Sequence, residues 1–199
     1  MVKMLQKNLA NQTIIIYSVL VLSTYLIILI LNLFIDIAPL SNILGFLSLI
    51  FYVATLLPSI LKIVLPIAQK SKILIWLFKY RRYLGLTAFS FGLSHGVLQI
   101  IQKQINLLEI QTYIHYFQGF SLLFIFTILA ITSNDQTMKS LKQTWKKIQQ
   151  LSYLVLLLLP WHIISKTKTW TCLTPLAILV ITTTACLFIT RKYLEIIDK

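Results

Sequence analysis

The sequence predicts an all-α fold, an integral membrane bundle of six transmembrane helices with both termini cytoplasmic, and three observations carry that expectation. Hydrophobic residues make up 58% of the 199 and mean hydropathy is +0.84, which excludes a soluble globular domain and a disordered chain. The apolar residues gather into six runs close to the roughly 17–25 residues that a bilayer-spanning helix requires. The 18 Lys and Arg, against five Asp and Glu, fall almost wholly between those runs. A net charge of +13 in one stripe would mark a nucleic-acid binder. Spread between apolar runs it reports orientation in lipid instead, so no nucleic-acid partner is expected.

In chain order, the runs predict helices over Ile14 to Phe34, Ile43 to Leu65, Tyr83 to Ile101, Tyr113 to Thr132, Gln149 to Ile164 and Leu173 to Thr190. The first comes after Lys3 and Lys7 as a secretory signal would, yet it exceeds the ~7–15 residues of a signal core and lacks a small-residue cleavage site, so it is read as a retained span. The fifth is the shortest. Its amphipathic lead-in, Leu141 to Gln150, is expected to continue the helix toward the membrane surface. Pro39, Pro66 and Pro175 fall at or near helix ends, whereas Pro58 and Pro160 fall inside the second and fifth spans and are expected to kink them. Thr132, Ser133, Asn134 and Asp135 are expected to end the fourth span and to cap the amphipathic lead-in to the fifth.

Basic residues sort by side. Those at the N-terminus (Lys3, Lys7), in the second loop (Lys70, Lys72, Lys79, Arg81, Arg82), in the fourth loop (Lys139, Lys142, Lys146, Lys147) and at the C-terminus (Arg191, Lys192, Lys199) share one face. Only Lys103, Lys166 and Lys168 lie on the other, and Lys62 can snorkel to the basic side. The positive-inside rule puts the basic face, with both termini, in the cytoplasm. Cys172 and Cys186, about 21 Å apart along one helix, are beyond disulfide reach.

Ionisable residues inside a membrane are costly and mark function. His95 and His162 lie within the third and fifth spans, which both run outward. His95 is 13 residues beyond Arg82 and His162 is 13 beyond Gln149, so each sits roughly 20 Å above that reference, in the outer half of the bilayer. Facing imidazoles at one level can clamp a heme between two helices. Gly92 and Gly96 flank His95, where they either clear space for a macrocycle or tighten helix packing. A rival reading from another class is a small transporter or assembly factor in which the histidines relay protons or hold helices together. Hydrolytic chemistry lacks support, because the sequence has neither G-x-S-x-G nor an inward-facing carboxylate pair. There is no G-x-G-x-x-G fingerprint and no P-loop.

The stretches RRYLGLTAFSFGLSH (Arg81 to His95), ILAITSND (Ile128 to Asp135) and WKKIQQLSYLVLLLLPWH (Trp145 to His162) together resemble the ferric reductase-like transmembrane family. That family includes the heme-binding subunits of bacterial methionine-sulfoxide reductase systems and, more distantly, the membrane domains of ferric-chelate reductases and NADPH oxidases. The resemblance implies one six-span domain over residues 1–199 that binds b-type heme (heme b) through His95 and His162 and carries electrons across or within the bilayer. It further implies a separate donor, either a reductase or a quinol, and an outer acceptor that is ferric iron, a partner oxidoreductase or quinone. Family members carry another His near the start of the fifth span, where this chain has Gln149, so one heme is expected. Arg82, or Arg81, is expected to meet a propionate or a flavin phosphate, with FMN or quinone on the cytoplasmic side. Only nine residues come after Thr190, so no flavin or nicotinamide domain is expected. The expected location is a bacterial inner membrane or a thylakoid or other organellar membrane.

Overall fold

The computed structural model describes Leu22, Ser23, Tyr25, Leu26, Ile30 and residues 40–165 and 171–197. The chain divides into two compact units, Met1–Leu40 and Ser41–Lys199. The described residues at positions 22–30 of the first unit are helical. The expected first span and Pro39 fall for the most part outside the described residues.

From residue 40 onward the described chain forms eight α-helices: α1 (Leu40–Val64), α2 (Lys72–Gln102), α3 (Ile110–His115), α4 (Phe117–Ile131), α5 (Asp135–Leu141), α6 (Gln143–Gln149), α7 (Leu151–Ser165) and α8 (Leu173–Ile197). A short 3₁₀ turn, Pro66–Lys70, joins α1 to α2, and no strand occurs among the described residues. Four stretches among them are long and apolar enough to cross a membrane: α1, α2, α6 joined to α7, and α8. The count is five if α4 and α5, which meet at 90°, form one broken span. The helical lead-in to the fifth run is present as α6. Pro58 lies within α1 and Pro160 within α7.

Two boundaries differ from expectation. Helix α2 begins at Lys72, well ahead of the expected Tyr83, and α8 continues past Thr190 to Ile197. Charged residues hide both extensions from a hydropathy window, yet Lys and Arg are good helix formers and their long stems lie comfortably along a helix at the membrane surface. The fourth span is broken. The six-residue α3 stops at Tyr116, and the 15 residues of α4 rise only about 22 Å, less than a hydrocarbon core of ~30 Å.

One buried cluster joins five helices, with Leu56 and Ile60 from α1, Ala88 from α2, Phe126 from α4, Val155 and Leu156 from α7, and Ile181 from α8. Within lipid, packing and internal hydrogen bonds rather than water exclusion hold such helices together. The buried polar residues are accordingly small hydroxyls, Ser41, Ser48, Thr55, Thr87, Ser152 and Thr184. Several bond back into their own helix, as Thr184 does to the Val180 carbonyl at 2.7 Å. Others tie helices together. Ser48 Oγ donates to the Ala88 carbonyl at 2.8 Å and Tyr52 donates to the Ser152 carbonyl at 2.6 Å, so α1 is bonded to both α2 and α7.

Candidate functional site

The helices that carry the two histidines bring them to one place. Helix α2 holds His95 and α7 holds His162, and their ring centroids are 6.4 Å apart with ring planes at 90°. Both rings line an apolar cavity of about 260 Å³ whose walls also include Gly45, Gly96, Gly119 and Phe126. His95 Nδ1 lies 2.7 Å from the Ser41 carbonyl oxygen. A carbonyl only accepts, so Nδ1 carries a proton, and whenever the ring is neutral Nε2 is the nitrogen with the lone pair.

The 6.4 Å separation can be set against what one metal ion held between the two rings would need. Metal–nitrogen bonds of about 2 Å on each side, plus about 1.1 Å from each nitrogen to its ring centre, would put two imidazoles that share one ion through facing nitrogens about 6.2 Å apart between centroids. That is within a few tenths of an ångström of the separation observed. With Nδ1 engaged by the Ser41 carbonyl, His95 would offer Nε2 to such an ion.

The two glycines beside His95 divide the roles considered for them. A Cβ on Gly92 would come within 3.0 Å of Ser48 Oγ, so Gly92 serves the close approach of α1 to α2. A Cβ on Gly96 would meet nothing nearer than Leu123 at 4.0 Å, so Gly96 faces the open cavity. Gly45 is not legible in the sequence as a site residue. It lies 50 positions from His95, and a Cβ there would fall 2.9 Å from His95 Nδ1.

Arg82 lies elsewhere. It pairs with Asp135 at 2.9 Å in an exposed setting and, with Arg81, Trp145 and Gln149, lines a second cavity of about 460 Å³. Phe126 borders both cavities. Among the described residues, no histidine lines the second. Gln149 donates to Thr132 Oγ1 at 3.3 Å and Trp145 Nε1 donates to the Thr132 carbonyl at 2.9 Å, so this wall is closed by side-chain hydrogen bonds. Arg81 reaches Ser59 Oγ at 3.1 Å. His115 is exposed at the end of α3, edge-on to Tyr116, and is not among the residues lining the first cavity. Trp161, half exposed, packs beside Phe117 of α4.

A helical membrane domain with two adjacent histidines in an apolar cavity is the class of protein that the fold and this geometry define. Residues 37–160 match the family described as ferric reductase like transmembrane component, and the chain belongs to that family. Among curated proteins it is similar to the protein-methionine-sulfoxide reductase heme-binding subunit MsrQ of Yersinia enterocolitica, 32% identical over 74% of this chain and 72% of that protein. It is likewise similar to the MsrQ proteins of Brucella ovis and Brucella canis, each 31% identical over 65% of this chain. The match spans 58% of the length of those Brucella relatives. No solved structure matches the chain.

Proposed function

We propose that this chain is the heme-binding membrane subunit of an electron-transfer system, holding one b-type heme between His95 and His162. The observation that carries the reading is the 6.4 Å separation of the two rings within a shared apolar cavity. Membership of the ferric reductase-like family and the heme-binding relatives support it. When bound, the heme would supply a reversible one-electron iron couple. The chain's own residues do the rest. The Ser41 carbonyl holds the His95 proton on Nδ1, Gly96 leaves room in the cavity wall, and largely apolar side chains surround both rings.

On this reading the domain spans residues 1–199 with six membrane spans and both termini in the cytoplasm of a bacterial inner membrane. Electrons enter at the basic face from a separate reductase or quinol and leave on the outer side to a partner oxidoreductase, ferric iron or quinone. The second cavity, with Arg81 and Arg82 on its wall, is the place for FMN or quinone on the donor side. Gln149 offers an amide where a second heme needs an imidazole, so one heme per chain is expected.

The test is a reduced-minus-oxidised spectrum of the purified chain with heme quantified. The expected result is a low-spin b-type spectrum at one heme per chain, lost in both His95→Ala and His162→Ala. A colourless protein after expression with ample heme, or a full low-spin spectrum in the His95 variant, would overturn the assignment.

A further inference from the structure

His95, Gln99 and Gln102 lie at i, i+4 and i+7 on α2 and therefore share one face. All three grip the first turn of α1. His95 Nδ1 meets the Ser41 carbonyl at 2.7 Å, Gln99 Nε2 donates to Ser41 Oγ at 3.0 Å, and Ser41 Oγ donates to Gln102 Oε1 at 3.0 Å. Ser41 is fully buried beneath them. In a regular helical ladder the Ser41 carbonyl also accepts from the Gly45 amide, so one oxygen serves two donors. The second donor must approach past residue 45. A Cβ there would stand 2.9 Å from His95 Nδ1 and 3.1 Å from Cε1. The nearest atoms belong to a rigid ring wedged between helices, which cannot swing aside as a flexible chain end would.

We propose that Gly45 and the Ser41 carbonyl are positioning elements that fix the tautomer and seat of His95, presenting Nε2 as the lone-pair nitrogen to the cavity. The tautomer is set by the protein alone; its consequence for iron rests on the heme reading. A carbonyl accepting from Nδ1 makes the ring a stronger donor through Nε2 and favours the oxidised metal. Alanine at position 45 displaces the ring, breaks that hydrogen bond and frees the proton to either nitrogen.

The experiment uses the full chain with ¹⁵N-labelled histidine in detergent, both heme-free and heme-loaded, with signals assigned from His95→Gln. In the heme-free protein, His95 is expected to be neutral with Nδ1 protonated, and Gly45→Ala is expected to shift it toward the Nε2-protonated form. In the loaded protein, Gly45→Ala is expected to raise the midpoint potential, alter the low-spin electron paramagnetic resonance signal and weaken heme retention by about tenfold or more. Gly85→Ala is the control, since a Cβ there meets only Thr55 Cγ2 at 3.8 Å. Should Gly45→Ala fail to fold, Gln99→Leu keeps the glycine, removes one arm of the clamp and is expected to move the same signals by less. The proposal is overturned if wild-type His95 carries its proton on Nε2, or if the folded Gly45 variant retains both signatures unchanged. A wild-type chain with the Nδ1-protonated ring that takes up no heme would sustain the positioning role while refuting the heme reading.

Discussion

Tyr52 shows how a single side chain serves this interior. Its ring packs edge-on against Phe126 at 5.7 Å, and its hydroxyl reaches the Ser152 carbonyl across 100 positions of sequence. Tyr52→Phe keeps the ring and removes the hydrogen bond. It is expected to cost about 1–2 kcal/mol, read as a lower thermal midpoint in detergent with heme content unchanged; loss of heme would mean that the hydroxyl also shapes the cavity. Gln149→His adds an imidazole to the second cavity, where no other histidine stands opposite among the described residues. The expected outcome is additional heme of high-spin character, and an unchanged heme-to-chain ratio would show that the Thr132 and Trp145 wall, not the missing ligand, keeps heme out. His95 and His162 are legible in the sequence because a titratable group inside an apolar run is conspicuous and helical rise fixes its depth. Ser41 and Gly45 are not. A backbone oxygen has no residue signature, and a glycine needed for one distant ring looks like any other glycine near a helix start.

Helix ends are harder to read than helix interiors. The Asn134 cap is legible only in part: its side chain accepts from the Thr137 amide at 2.7 Å and starts α5, whereas the lead-in α6, which the Thr-Ser-Asn-Asp cluster is expected to cap, starts after Lys142 with no side-chain cap. The early start of α2 and the late end of α8 are not, because hydropathy measures membrane affinity whereas helices continue wherever backbone and side chains allow. The break between α3 and α4 at Tyr116 is hidden within one apolar run. Asn134→Ala is expected to cost about 1 kcal/mol of local helix stability, detectable as faster proteolysis at Lys139 or Lys142. By contrast, Asp135→Asn removes an exposed pair with Arg82 and is expected to change stability by less than about 1 kcal/mol. A larger loss would mean that this pair closes the second cavity as well as its surface.

At the scale of the molecule, an interior shared by five helices and tied by small hydroxyls holds two cavities at different levels along the helices, with Phe126 bordering each. The proposed orientation gives that arrangement a direction. Cys172, exposed just before α8, is then on the outer side, so a membrane-impermeant maleimide is expected to label it in intact spheroplasts; labelling only after lysis would invert the topology. The hold on His95 also bears on how the protein tolerates mutation. Because the group that accepts from the ring belongs to the main chain, no codon change at position 41 can delete it. Genetic fragility is displaced one helical turn, onto a residue whose sole contribution is to be small. A saturation library scored for heme uptake would therefore find position 45 nearly invariant and position 41 less strictly held, since losing its hydroxyl releases Gln99 and Gln102 but leaves the carbonyl in place.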